Sequence, residues 1–109
     1  MLAPVTIVGI DYSDYETVAA SQTDQVLGAT GAIGDFLAGL LIVPATTAAG
    51  VVQIKDGSGS AITVFVGGGT TALTILTPIW VPLGMKSKSG AWKLTTGANV
   101  SVIAVGMFY

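Results

Sequence analysis

The chain predicts an all-β fold, an antiparallel β-sandwich of about eight strands behind an N-terminal arm. Short runs of Val, Ile, Thr and aromatic residues, broken by Gly, Pro, Asp or Ser, recur at about the 8–12-residue spacing of a sandwich. Some runs alternate with the two-residue period of a pleated strand, as Val52 and Ile54 do with Val51, Gln53 and Lys55. The long uncharged stretches 36–54 and 57–85 contain Gly39, Pro44, Gly50, Pro78 and Pro82, which break any helical pattern, membrane-spanning or otherwise. A length of 109 residues suits one domain, read as an arm or edge strand over 1–20 and a sandwich over 21–109.

Taken in order, the expected strands are 5–10, 24–27, 36–43, 51–55, 61–66, 72–81, 84–88, 91–95 and 99–109. The segment Asp11-Tyr12-Ser13-Asp14-Tyr15-Glu16 is acidic and aromatic, and it reads either as a first edge strand or as an arm reaching onto another subunit. Gly28, Gly31 and Gly34 fall in a loop between strands. Asp56-Gly57 supplies the positive φ of a tight hairpin between 51–55 and 61–66. Pro78 and Pro82 flank Ile79-Trp80-Val81, and because proline donates no ladder hydrogen bond, that strand belongs at an edge or carries a bulge. Ser87-Lys88-Ser89-Gly90 and Thr96-Gly97-Ala98-Asn99 supply the small residues of two further turns.

Composition then narrows function. Charged residues make up 9 % of the chain and apolar residues 51 %, against about 25 % charged in an ordinary soluble domain. So little polarity leaves apolar surface that must face other protein, since obligate interfaces are apolar and poor in charge. The chain has no His, no Cys and no Arg. Without imidazole or thiolate no catalytic constellation forms around its many Ser and Thr residues, and an enzyme is not expected. No cofactor is expected either: Gly28-x-x-Gly31-x-x-Gly34 departs from the dinucleotide pattern and is followed by the anion Asp35. Four lysines and a net charge of −2 give no basic patch for nucleic acid. No small-molecule substrate and no membrane residence are read from this sequence, and the start Met1-Leu2-Ala3-Pro4 does not resemble a secretory signal.

The charges are polarised along the chain. Asp11, Asp14, Glu16, Asp24 and Asp35 precede Lys55, while Lys86, Lys88 and Lys93 lie towards the other end. In copies meeting head to tail, this favours Asp11, Asp14 and Glu16 of one copy facing Lys86 and Lys88 of the next. The acidic trio carries oxygen ligands but lacks the spacing of a calcium loop, so no metal is assigned to it. Tyr12, Tyr15, Trp80 and Trp92 are the expected contact anchors, with a sugar-stacking platform as the alternative use of the aromatics and core packing as the structural one.

Two stretches carry a resemblance: Thr23-Asp24-Gln25-Val26-Leu27-Gly28 through Gly34-Asp35-Phe36-Leu37 to Leu41-Ile42-Val43-Pro44-Ala45-Thr46-Thr47, and Gly90-Ala91-Trp92-Lys93-Leu94-Thr95-Thr96-Gly97-Ala98-Asn99-Val100. Together they resemble small virion proteins of tailed bacteriophages, over residues 21–109. The resemblance implies a jelly-roll-like sandwich of the capsid decoration, or cement, type. It also implies a homotrimer, a major capsid protein as partner, a place on the capsid exterior and assembly in the host cytoplasm. No ligand or catalytic residue is implied. A tail or head-fibre component and a carbohydrate-binding sandwich are the alternatives.

Overall fold

Residues 14–67 and 76–109 are described by the structure, a computed structural model. The expected strand 5–10 and residues 72–75 of the expected strand 72–81 lie outside them. Every regular element among the described residues is a strand: β1 (Asp14–Val18), β2 (Gln25–Val26), β3 (Phe36–Pro44), β4 (Val52–Asp56), β5 (Ile62–Phe65), β6 (Ile79–Lys86), β7 (Trp92–Thr96) and β8 (Val100–Met107). They form two four-stranded sheets, ordered β1-β8-β3-β6 and β2-β7-β4-β5, and all neighbours are antiparallel. The all-β, two-sheet architecture follows the sequence expectation.

The pairings are nested. Strand β1 lies beside β8, β2 beside β7, β3 beside β6 and β4 beside β5, as if one long hairpin bent at the β4–β5 turn were rolled into two layers. Among the described residues, only that central turn joins hydrogen-bonded partners directly. It is the expected Asp-Gly hairpin: Gly57 has φ +56°, and the Gly59 N–H donates to the Asp56 carbonyl at 2.8 Å. The turns at 87–90 and 96–99 connect strands of different sheets. Residues 14–18 of the expected arm or edge strand pair with β8 and, among the described residues, form an edge of the sheet.

Strands expected separately over 72–81 and 84–88 are joined in the structure, since β6 runs unbroken from Ile79 to Lys86. Gly84 provides no turn. At φ +68° it sits where the register between β3 and β6 shifts, so the strand absorbs it as a bulge. Pro82 lies on the edge strand of its sheet, as its missing donor requires.

That same irregularity sets which side chains of β3 reach the core. Leu37 is buried, and a strict two-residue period would next bury Gly39 and Leu41. The register shift after Leu37 turns Leu40 and Ile42 to the core instead, and Gly39 is buried on the other face, beneath Trp80. Leu40 and Ile42 meet Val102 and Ala104 of β8 from the same sheet, and Val52, Ile54 and Leu94 from the other. One core therefore lies between the two sheets, filled by Leu, Ile and Val with Trp92 at one end.

Candidate interaction surface

The outer faces of the two sheets are built from different residues. On the first sheet, register places Thr17, Ile103, Leu41 and Trp80 in one row across β1, β8, β3 and β6. The neighbouring outward row is Tyr15, Val105, Gly39 and Pro82. Neither row carries a charge. Leu41, Ile103 and Val105 are only partly covered, while Trp80 is 49 % exposed and Tyr15 68 %. An antiparallel sheet with one face in the core normally turns mostly polar residues outward, whereas these two rows are mostly apolar.

Trp80 is held flat by a missing side chain. A Cβ placed on Gly39 would come within 2.5 Å of the indole Cη2 and Cζ2, so the ring lies over the bare backbone of the neighbouring strand. This gives the indole a fixed position while leaving its other face in solvent.

The outer face of the second sheet is polar. Lys93 stands opposite Lys55, and Gln53 lies between Thr95 and Thr63. Asp24 relieves the like-charge pair, since its carboxylate accepts from the Lys55 Nζ at 3.1 Å. The Lys55 hydrogen bond, with help from Thr95 and the charge of Lys93, holds the Asp24 carboxyl below its ordinary range. At the hairpin, burial pushes the Asp56 carboxyl up, but backbone N–H donors from Ser89 and Lys88 outweigh it and hold the group low. Those bonds measure 3.0 Å from Ser89 and 2.9 Å from Lys88, tying the turn before β7 to the hairpin.

The sequence-predicted contact residues divide accordingly. Tyr15 and Trp80 lie in these two uncharged rows, on strands that are opposite edges of the sheet among the described residues. Asp14 and Lys86 are exposed on those same two edges, and neither makes an ion pair with a described residue. Asp11 and Tyr12 lie outside the described residues. Lys88 is exposed in the turn before β7.

Two of the expected contact residues are engaged within the chain itself. Glu16 is satisfied within its own chain, accepting from the Gly28 N–H at 2.7 Å and the Gln25 Nε2 at 3.0 Å. It shares a row with buried Ala104 and Leu40, so it is an inward-turned charge that closes the gap between the sheets at the β1 edge. Trp92 is 3 % exposed and donates from Nε1 to the Asp35 carbonyl at 3.0 Å. Its strand position alternates with Lys93 and Thr95, which puts it on the core side. Asp35 is itself buried, with Oδ2 accepting from Ala32 and Tyr109 N–H groups, and this fastens the loop before β3 to the end of the chain described.

Sequence reasoning missed Leu41, Ile103 and Val105 as surface residues. The available signal was that both alternating sets of β3 and β8 are apolar, so one set had to remain uncovered by the chain's own core. No group of three or more metal-ligating side chains is present among the described residues. No family model matches the chain, and no curated protein or solved structure matches it.

Proposed function

We propose that this chain is a structural virion protein that decorates and stabilises a bacteriophage capsid, acting through subunit contacts and without catalysis. It works as a homotrimer on the capsid exterior, bound to major capsid protein and assembled in the host cytoplasm. The observation that carries this reading is the pair of uncharged rows on the outer face of the β1-β8-β3-β6 sheet, with Trp80 and Tyr15 exposed in them. A face of this kind is fit to be covered by protein. The nested strand orders support reading the sandwich as a jelly roll, an architecture that viral capsid domains use.

The mechanism is mass action. A protein that binds only the closed shell shifts the equilibrium towards that shell, and repetition over many sites multiplies weak contacts into bracing. The carbohydrate-binding alternative is weakened because Trp92 is in the core, leaving Trp80 without its tryptophan partner. The test is to prepare phage particles lacking this protein, add it back, and image them while measuring the temperature of DNA release. Saturable, symmetric binding on the head with a higher release temperature is expected. Binding confined to the tail, or none, overturns the reading. Glycan-array binding lost in Trp80→Ala would favour the carbohydrate module instead.

A further inference from the structure

Of the chain's aspartates only Asp56 stands directly before a glycine, and the sequence has no Asn-Gly pair. Glycine has no side chain to crowd its own amide nitrogen, so the Gly57 nitrogen is the one best placed by sequence to attack the side-chain carboxyl before it. We propose that Asp56-Gly57 is a latent modification site, which rearranges spontaneously to an isoaspartyl linkage when the hairpin opens and is held inert by the folded hairpin. The reactants are the chain itself and solvent water.

In the open chain the Gly57 nitrogen attacks the Asp56 Cγ. An N–Cγ bond forms, the carboxyl hydroxyl leaves as water with the amide proton, and a succinimide ring closes. Water then adds to either ring carbonyl: breaking the N–Cγ bond returns aspartate, while breaking the original peptide C–N bond leaves the chain running through the side-chain carbonyl. One water leaves and one returns, nothing is oxidised or reduced, and the mass is unchanged. The product has one more bond in its backbone path and a free α-carboxylate.

The folded hairpin withholds each requirement of that ring closure. The attacking nitrogen is occupied, since the Gly57 N–H donates to the Ala91 carbonyl at 2.9 Å. Its peptide must also turn, and Gly57 is buried at φ +56° so close to the next turn that a Cβ placed on it would overlap the Ser89 carbonyl. The carboxyl is held as well. The Lys88 N–H reaches Oδ1 and Oδ2 at 2.9 Å each, and the Ser89 N–H reaches Oδ1 at 3.0 Å. Ser89 Oγ donates to the Asp56 main-chain carbonyl at 2.6 Å, which fixes the other arm of the same residue. Loss of water further requires the neutral acid. Burial favours that form, but the Ser89 and Lys88 backbone donors outweigh burial and keep the anion. These partners all lie in residues 88–91, so the turn before β7 guards the site.

The natural chain is incubated folded in mildly acidic buffer and unfolded in the same buffer with guanidinium chloride. Peptide mapping with electron-transfer fragmentation separates the two linkages, which have equal mass. Isoaspartate at position 56 is expected to accumulate in the unfolded chain and to form about a hundredfold more slowly in the folded one, where reaction waits for the open fraction. Ser89→Pro removes both Ser89 donors and keeps the Asp-Gly pair. With its folding verified by circular dichroism, it should rearrange about tenfold faster than the folded natural chain. If Ser89→Pro does not fold, the comparison within the natural chain decides alone. A folded natural chain that rearranges as fast as the unfolded one overturns the protection, and an unfolded chain without isoaspartate at position 56 overturns the site. A folded Ser89→Pro chain no faster than the natural one overturns the role given to the turn before β7.

Discussion

The two sheets share one core but solve the problem of their other face in opposite ways. The β2-β7-β4-β5 sheet alternates core residues with Lys55, Lys93, Gln53 and Thr95, and Asp24 neutralises the close lysines. The β1-β8-β3-β6 sheet alternates core residues with Leu41, Ile103 and Val105, and sets Trp80 against Gly39. The first pattern is complete in water. The second leaves apolar surface whose burial contributes about 25 cal/mol per Å² once another surface covers it. A single chain can therefore be stable through its core and still leave apolar surface uncovered on one side.

The largest expected effect breaks what both sheets share. Trp92→Ala should destabilise the chain by about 3–5 kcal/mol in chemical denaturation followed by circular dichroism, because it empties a buried site and removes one of the two donors to the Asp35 carbonyl, leaving the Ser87 N–H. Next comes Gly39→Ala, which drives a methyl group into the Trp80 ring. A loss of about 1–3 kcal/mol is expected, with a shift in tryptophan emission as the indole lifts away; unchanged emission would contradict the stacked placement.

The contrast between faces is sharpened by matched surface changes. Leu41→Ser and Gln53→Ser should each alter the unfolding free energy of the isolated chain by about 1 kcal/mol or less. Only Leu41→Ser should lower the associated fraction in light scattering. Equal association in both variants would remove the distinction drawn between the faces.

The smallest effect concerns acid. Asp24 and Asp56 both have lowered carboxyl pKa values in the folded chain, so their stabilisation is present above the ordinary value of 3.8 and is lost as pH falls through the lower folded values. Acid titration of the double variant Asp24→Asn, Asp56→Asn should show a shallower loss of stability below pH 3.8 than the natural chain does. The rows Thr17 to Trp80 and Tyr15 to Pro82 contain no titratable carboxylate, so the first face adds nothing to that slope.

Much of this was legible in the residues themselves. Alternation along 51–55, the Asp56-Gly57 hairpin, the glycine loop at 28–34 and the edge position demanded by Pro82 are local consequences of side-chain period and backbone stereochemistry, and a sequence carries these directly. A scarcity of charge likewise announced an exterior that is not all for water. The tertiary structure alone decided which of two apolar sets in β3 and β8 would face inward, because that depends on a one-residue register shift after Leu37 and on strands distant in sequence. It also sent Trp92 inward and Trp80 outward, although both are tryptophans in β-rich runs. The reason is that pairing between β1 and β8, or β2 and β7, joins segments at opposite ends of the chain. A local pattern states that a strand has two faces, and only its partners determine which one the core receives.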